Sequence, residues 1–165
     1  RELAGLLQTL FIAELVRPSR QLWIVSPWVG DVPLIDNRAG VLSRFSGRWE
    51  ATQVRLLDIL RDLAERGTEV RIVTQEMASN VSFLRQARKM EGAMEGKGSI
   101  RVQIDPVILH TKGILGEAFL LSGSMNLTDS GVHRNDEQLT LHVGPPMDPI
   151  MNQLSHWAQL YGVRR

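Results

Sequence analysis

The chain has 165 residues, of which 43% are hydrophobic, with 19 Lys and Arg against 18 Asp and Glu for a formal net charge of +1. That length predicts one domain over residues 1–165 with a substantial core, and the near-zero charge excludes polyanion binding through overall electrostatics, so any basic surface has to be local. The absence of cysteine excludes a disulfide scaffold and thiolate metal sites, and no apolar run reaches the ~18 residues of a bilayer span, which together predict a cytoplasmic protein that does not engage a membrane.

The chain begins at Arg1 with no initiating Met, which leaves room for upstream residues, a targeting segment included. Leu3, Leu6, Leu7, Leu10 and Phe11 recur at helical spacing, and Pro18 should stop that helix. Residues 22–25 then read as the first core strand. From residue 26 to about residue 49 the chain is rich in turn formers, among them Asp31, Pro33, Asp36, Asn37, Gly40 and Gly47, which is long for a simple connection and is expected to be a functional loop. Leu56, Leu57, Leu60, Leu63 and Ala64 mark an amphipathic helix ending at Gly67, followed by a buried strand over 70–73. A helix over 81–90, capped by Ser79, leads through a glycine-bearing connection over 92–98 to a strand over 100–104.

The next segment carries the chemistry. Apolar runs at 107–109 with 114–115 and at 118–121 read as two paired strands, and they are punctuated by His110, Lys112, Glu117, Gly123, Ser124 and Asn126. On a strand, side chains two apart share a face, so the imidazole of His110 and the ammonium of Lys112 are expected side by side. If the strands form a hairpin, Ser124 and Asn126 bring a hydroxyl and an amide to the same region. Lys112 is one of three lysines beside sixteen arginines. Beyond the hairpin, residues 128–131 begin a short turn or helix, a strand runs over 137–143, Pro145 and Pro146 break the chain, and a final helix covers 148–161. Alternating helices and strands of this kind predict an α/β fold, a mixed sheet with helices on both faces.

His110 and Lys112, then Glu117 after four residues, then Gly123, Ser124 and Asn126, resemble the signature of the phospholipase D superfamily, with Glu117 where the family has Asp. Asn135 and Glu137 ahead of the last strand are similar to the bacterial single-motif nucleases of that superfamily. The resemblance implies a phospholipase D-like mixed sheet sandwiched by helices and a metal-independent phosphodiesterase without a cofactor. In it His110 is the nucleophile that becomes phosphorylated, Lys112, Ser124 and Asn126 stabilise charge on the phosphate oxygens, Glu137 orients the histidine, and Glu117 supports the local fold. Imidazoles titrate near ~6.5 in model peptides, which leaves a neutral nucleophilic fraction at neutral pH. His133, His142 and His156 lack a lysine two residues on, so the chain holds one copy of the motif. The family needs two, which implies a homodimer with a composite site.

More narrowly, residues 22–28, 36–40 and 121–127 resemble the phospholipase D-like DpdK proteins of bacterial 7-deazaguanine DNA modification and restriction systems. That likeness implies DNA as the partner, with other proteins of such a system, and makes Trp28 a candidate to stack on a base and Arg38 a candidate to hold phosphate. Two basic groups, Arg85, Arg88 and Lys89 with Lys97 and Arg101, and Arg38 with Arg44 and Arg48, read first as solvated surfaces. The same motif also serves phospholipid hydrolysis, and a non-hydrolytic nucleic-acid-binding subunit of a larger assembly is a third possibility.

Overall fold

The structure, a computed structural model, describes residues 2–93, 98–107, 109–134, 137–145 and 147–162. In chain order its elements are α1 (Glu2–Val16), β1 (Gln21–Val25), β2 (Pro33–Asp36), β3 (Gln53–Arg55), α2 (Leu56–Glu65), β4 (Glu69–Thr74), α3 (Val81–Ala93), β5 (Ser99–Ile104), β6 (Gly113–Leu115), β7 (Phe119–Gly123), α4 (Asp129–His133), β8 (Leu139–Val143) and α5 (Asp148–Tyr161). Six strands form a mixed sheet in the order β5-β4-β1-β6-β7-β8, and β2 with β3 forms a separate two-stranded sheet. Strand β1 is parallel to β4, and β4 to β5, whereas β6, β7 and β8 add on as antiparallel neighbours.

Alternation along the strands builds two cores. Leu22 and Ile24 of β1, Val70 and Ile72 of β4, and Ile114 and Leu121 of the hairpin face α1, α2 and α3. Trp23, Val25, Val73, Leu115 and Leu120 face the other way, against Ile150, Trp157 and Tyr161 of α5. Each such aliphatic or aromatic side chain contributes on the order of 1.5–3 kcal/mol by leaving water. Both sheet faces thus need a helical cover, which is why the central strands read as continuous apolar runs. At Gly113 a Cβ would lie 2.7 Å from Leu121 O and 3.2 Å from the Trp157 ring, so the missing side chain is what lets α5 close on β6.

Three expectations change. The supposed long loop over 26–49 contains β2 and a short 3-10 turn over Val41–Phe45, and β2 pairs with β3 just before α2. Ser79 does not cap α3: a 3-10 turn over Ala78–Asn80 precedes the helix, and Ser79 Oγ donates to Asn80 Oδ1 at 3.4 Å. Residues 107–112 hold no strand among those described, and regular pairing begins only at Gly113. Lys97, Ile108, Asn135 and Pro146 lie outside the described residues. No helix among the described residues is long and apolar enough to cross a membrane.

Candidate active site

Strands β5 and β6 are consecutive in the chain but have β4 and β1 between them in the sheet. Their connection has to pass over the carboxyl ends of those parallel strands, the edge where open α/β sheets gather ligands. Local hydrogen bonds tack it down: Asp105 N donates to Thr74 O (2.8 Å), Val107 N to Asp105 Oδ1 (2.9 Å), and Gln75 Nε2 to Val107 O (3.0 Å). Leu109, 5% exposed, plugs into the core beneath α5, and the next residue, His110, is left exposed on the rim. His110 and Lys112 therefore sit on a crossover and not on a strand. Pairing against β1 cannot start until the chain has cleared the two intervening strands.

Lys112 Nζ donates to His110 O at 3.1 Å, and Gly123 N donates to Lys112 O at 3.3 Å, which joins the end of the crossover to the end of β7. Gly123 has φ +154°, and a Cβ there would lie 2.1 Å from Gln138 O; glycine is required for β7 to meet the start of β8 this closely. Past that point Ser124 N donates to Gln138 O and Gln138 N to Ser124 Oγ, each at 3.1 Å, while Ser124 Oγ donates to Glu137 Oε2 at 2.5 Å. Asn126 follows between buried Met125 and Leu127, with its Oδ1 buried and without a hydrogen-bond partner. The hairpin thus brings Lys112, Ser124, Asn126 and Glu137 to the edge that carries His110.

Trp28 joins the same edge. It follows β1, is 38% exposed, and its carbonyl accepts from Ser26 Oγ at 2.7 Å. Ser26 Oγ also accepts from Leu127 N (3.3 Å), and Gly30 N donates to Leu127 O (2.8 Å), so the Trp28 loop is bonded to the residue after Asn126. Fully buried Asn80 braces this loop: its Nδ2 donates to Pro27 O (2.8 Å), Gln75 O (2.8 Å) and Thr74 Oγ1 (3.1 Å), and its Oδ1 accepts from Val29 N (3.1 Å). Ser26 and Asn80 were missed in the sequence, where the only signal is a polar residue at each end of a buried strand or turn. Arg38 is set apart. It lies beyond the two-stranded sheet's β2, and its guanidinium is engaged by Asp36, whose carboxyl it lowers to about 2.

Glu117 lies at the opposite end of the hairpin from this cluster, in the β6–β7 turn. Its Oε1 accepts from Arg20 Nε at 2.8 Å, and this bond holds the carboxyl below the ordinary carboxylate range. Its amide donates to Ser19 Oγ, which in turn donates to Glu14 Oε1, both at 2.8 Å. Glu14 is buried, and desolvation pushes its carboxyl up against the lowering effect of the bonds from Ser19. Glu117 is placed to fasten the hairpin to the chain before β1, at the end of the hairpin away from Ser124. Of the other basic residues considered, His133 Nε2 lies 3.2 Å from Pro33 O, and Arg134 pairs with Asp129 at 2.9 Å.

Against known proteins, a family model described as the cardiolipin synthase, PLD-like domain matches residues 42–159. No curated protein matches the sequence significantly. Among solved structures the fold is similar to Nuc from Salmonella typhimurium, a phospholipase D family member, with TM-score 0.60 and 17% identity over 92% of this chain and 84% of that one. It is also similar to NucT from Helicobacter pylori, with TM-score 0.54 and 13% identity over 94% and 87% of the two chains. The α/β layers, the crossover and the match over well over half of its length say the same thing: the chain belongs to the phospholipase D-like family of phosphodiesterases.

Proposed function

We propose that this chain is a metal-independent phosphodiesterase that cleaves nucleic acid, DNA first among substrates, through a phosphohistidine in a homodimer. The observation that carries the reading is the gathering at one sheet edge of exposed His110, Lys112, the Ser124–Glu137 pair and Asn126. An imidazole nitrogen of His110 attacks phosphorus; the P–N bond forms as the bond to the leaving oxygen breaks, and that oxygen takes a proton from the imidazolium of a second copy's His110. Water then attacks phosphorus, gives its proton to that second imidazole, and displaces His110 as the P–N bond breaks. Lys112 and the Asn126 amide offset charge on the non-bridging oxygens, and Glu137, steadied by Ser124, holds the histidine tautomer. Trp28 supplies a stacking surface beside the cluster. Arg38 reaches phosphate only by exchanging its bond to Asp36, which makes it the weaker of the two substrate contacts.

The likeness of residues 22–28, 36–40 and 121–127 to DpdK proteins extends this reading to a cytoplasmic bacterial DNA modification or restriction system. A second reading, phospholipid hydrolysis or phosphatidyl transfer, is favoured by the description of the family model. The polar surroundings of the cluster, with Ser124 and Gln138 exposed, favour nucleic acid. In excess EDTA, the protein is expected to hydrolyse bis(p-nitrophenyl) phosphate and a labelled oligonucleotide. His110→Ala should lower both rates by at least about 10³-fold without a change in melting temperature. Full activity in that variant, or hydrolysis confined to phospholipid vesicles, would reject the proposal.

A further inference from the structure

Helix α3 buries Phe83, Leu84, Ala87 and Met90 against the sheet and turns Arg85, Arg88 and Lys89 to solvent. Positions 85, 88 and 89 share one helical face and span ~6 Å along the axis. Some cations elsewhere are neutralised: Arg20 pairs with Glu117, Arg48 with Asp62 and Glu65, Arg55 with Asp31, and Arg134 with Asp129. Arg85, Arg88 and Lys89 form no ion pair among the described residues. Arg17, Arg44 and Arg61 form none either, but they stand apart, just past α1, in the 3-10 turn over Val41–Phe45 and on α2, whereas the α3 cations sit together on one helical face and present their summed charge to an external anion.

The helix is also locked to the candidate site. Its first turn follows directly on Asn80, the residue whose amide bonds the carbonyls of Pro27 and Gln75 and the amide of Val29 around Trp28. The α3 N-terminus therefore stands at the same sheet edge as Trp28 and the His110 crossover. Helix α3 packs over β5, and β5 is three strand steps from β6 (β5-β4-β1-β6), about 14 Å at ~4.8 Å per step. Positions 85–89 lie a further ~6–12 Å down α3 from its first residue and on its solvent side, so ~14 Å is a lower bound that puts the basic ridge several nucleotides along a strand from the reacting phosphate.

We infer that the α3 ridge of Arg85, Arg88 and Lys89 is a secondary binding surface for the phosphate backbone of a single nucleic-acid strand leading away from the His110 site. The inference rests on the phosphodiesterase reading for the direction of the strand. Nucleic acid is favoured over a lipid surface because Ser82 and Gln86 beside the ridge are exposed and polar and Val81 is the single exposed apolar side chain among the described side chains of α3, whereas membrane-surface helices flank their cations with several residues that insert. Both arginines can hold phosphate oxygens through two donors at once.

The test is binding of fluorescein-labelled oligodeoxynucleotides of increasing length by the full chain, read by anisotropy across a salt series. For the parent, affinity should step up once the strand is long enough to reach from His110 to α3. In the Arg85→Gln/Arg88→Gln/Lys89→Gln variant that step should vanish. Affinity for the long strand should fall about tenfold or more, and the slope of log K against log[salt] should flatten by about 2, at ~0.7 per lost phosphate contact. An Arg85→Lys/Arg88→Lys variant, which keeps the charge, should stay within about threefold of the parent. Unchanged affinity and slope in a triple variant with the parental melting temperature would overturn the inference. So would loss of binding to phosphatidylglycerol vesicles with oligonucleotide binding intact. Because the readout is binding and not turnover, a protein that hydrolyses nothing would sink the phosphodiesterase reading while this titration still judged the ridge.

Discussion

Ser124 and Glu117 stand at opposite ends of one hairpin, a hydroxyl at one and a carboxylate at the other, and their surroundings give them different work. Ser124 closes the start of β8 and donates to Glu137 beside the exposed histidine, whereas Glu117, with a side chain 44% exposed, accepts from Arg20 at the far turn. An exposed pair of that sort is screened by solvent and salt, so Glu117→Ala should cost no more than about 1 kcal/mol in urea unfolding and leave kcat/KM within about threefold. Ser124→Ala should lower kcat at least about tenfold, since it removes the hydroxyl that donates to Glu137 and closes the start of β8 beside it. The reverse order of the two kinetic effects would place the working carboxylate at 117. The family resemblance already implies different roles for these two residues. What the strand register adds is their placement, because the four residues between Lys112 and Glu117 carry the chain to the other end of the sheet.

At the level of elements, the α1–β1 corner is where a buried acid supports the fold. Glu14 projects from α1 into the core, takes both hydrogen bonds of Ser19, and feels the carboxylate of Glu117 beyond. Burial raises its folded pKa above the ordinary carboxylate value of 4.5, so between 4.5 and that raised value the folded state holds more protons than the unfolded one. The associated stability is therefore fully present below 4.5 and lost as pH rises through the folded pKa. Urea midpoints taken from about pH 4 to 7 should show this decline in the parent and not in Glu14→Gln, and parallel curves would rule out Glu14 as its source. A helical apolar run such as that over residues 3–11 reveals where α1 is but not that a glutamate on it turns inward. Strands β1 and β4 are legible because they hold short apolar runs, β5 because Ile100, Val102 and Ile104 alternate with polar residues, and α2 because its period is helical. The small β2–β3 sheet is not, since its strands are three and four residues long and interleaved with turn formers.

For the whole molecule, the single histidine–lysine pair makes function depend on a second copy if cleavage needs both an attacking imidazole and a proton donor. Mixing the parent with His110→Ala under exchange conditions tests this directly. Activity should fall as the square of the parental fraction, because only dimers with two intact histidines complete both steps; a linear fall, or a strict monomer in solution at high concentration, argues for a self-sufficient chain. What the sequence determined by itself was the class of fold, because apolar periodicity requires two covered sheet faces, while it marked His110, Lys112, Ser124 and Asn126 as one polar set without the crossover that carries the first two. The tertiary structure alone decided that His110 rides a crossover above β4 and β1, that Ser26 and Gly30 tie the Trp28 loop to Leu127, and that Asn80 ties the same loop to the start of α3. Those outcomes follow from strand order and long-range hydrogen bonds, which join residues up to about a hundred positions apart and so leave no period or spacing along the chain to read.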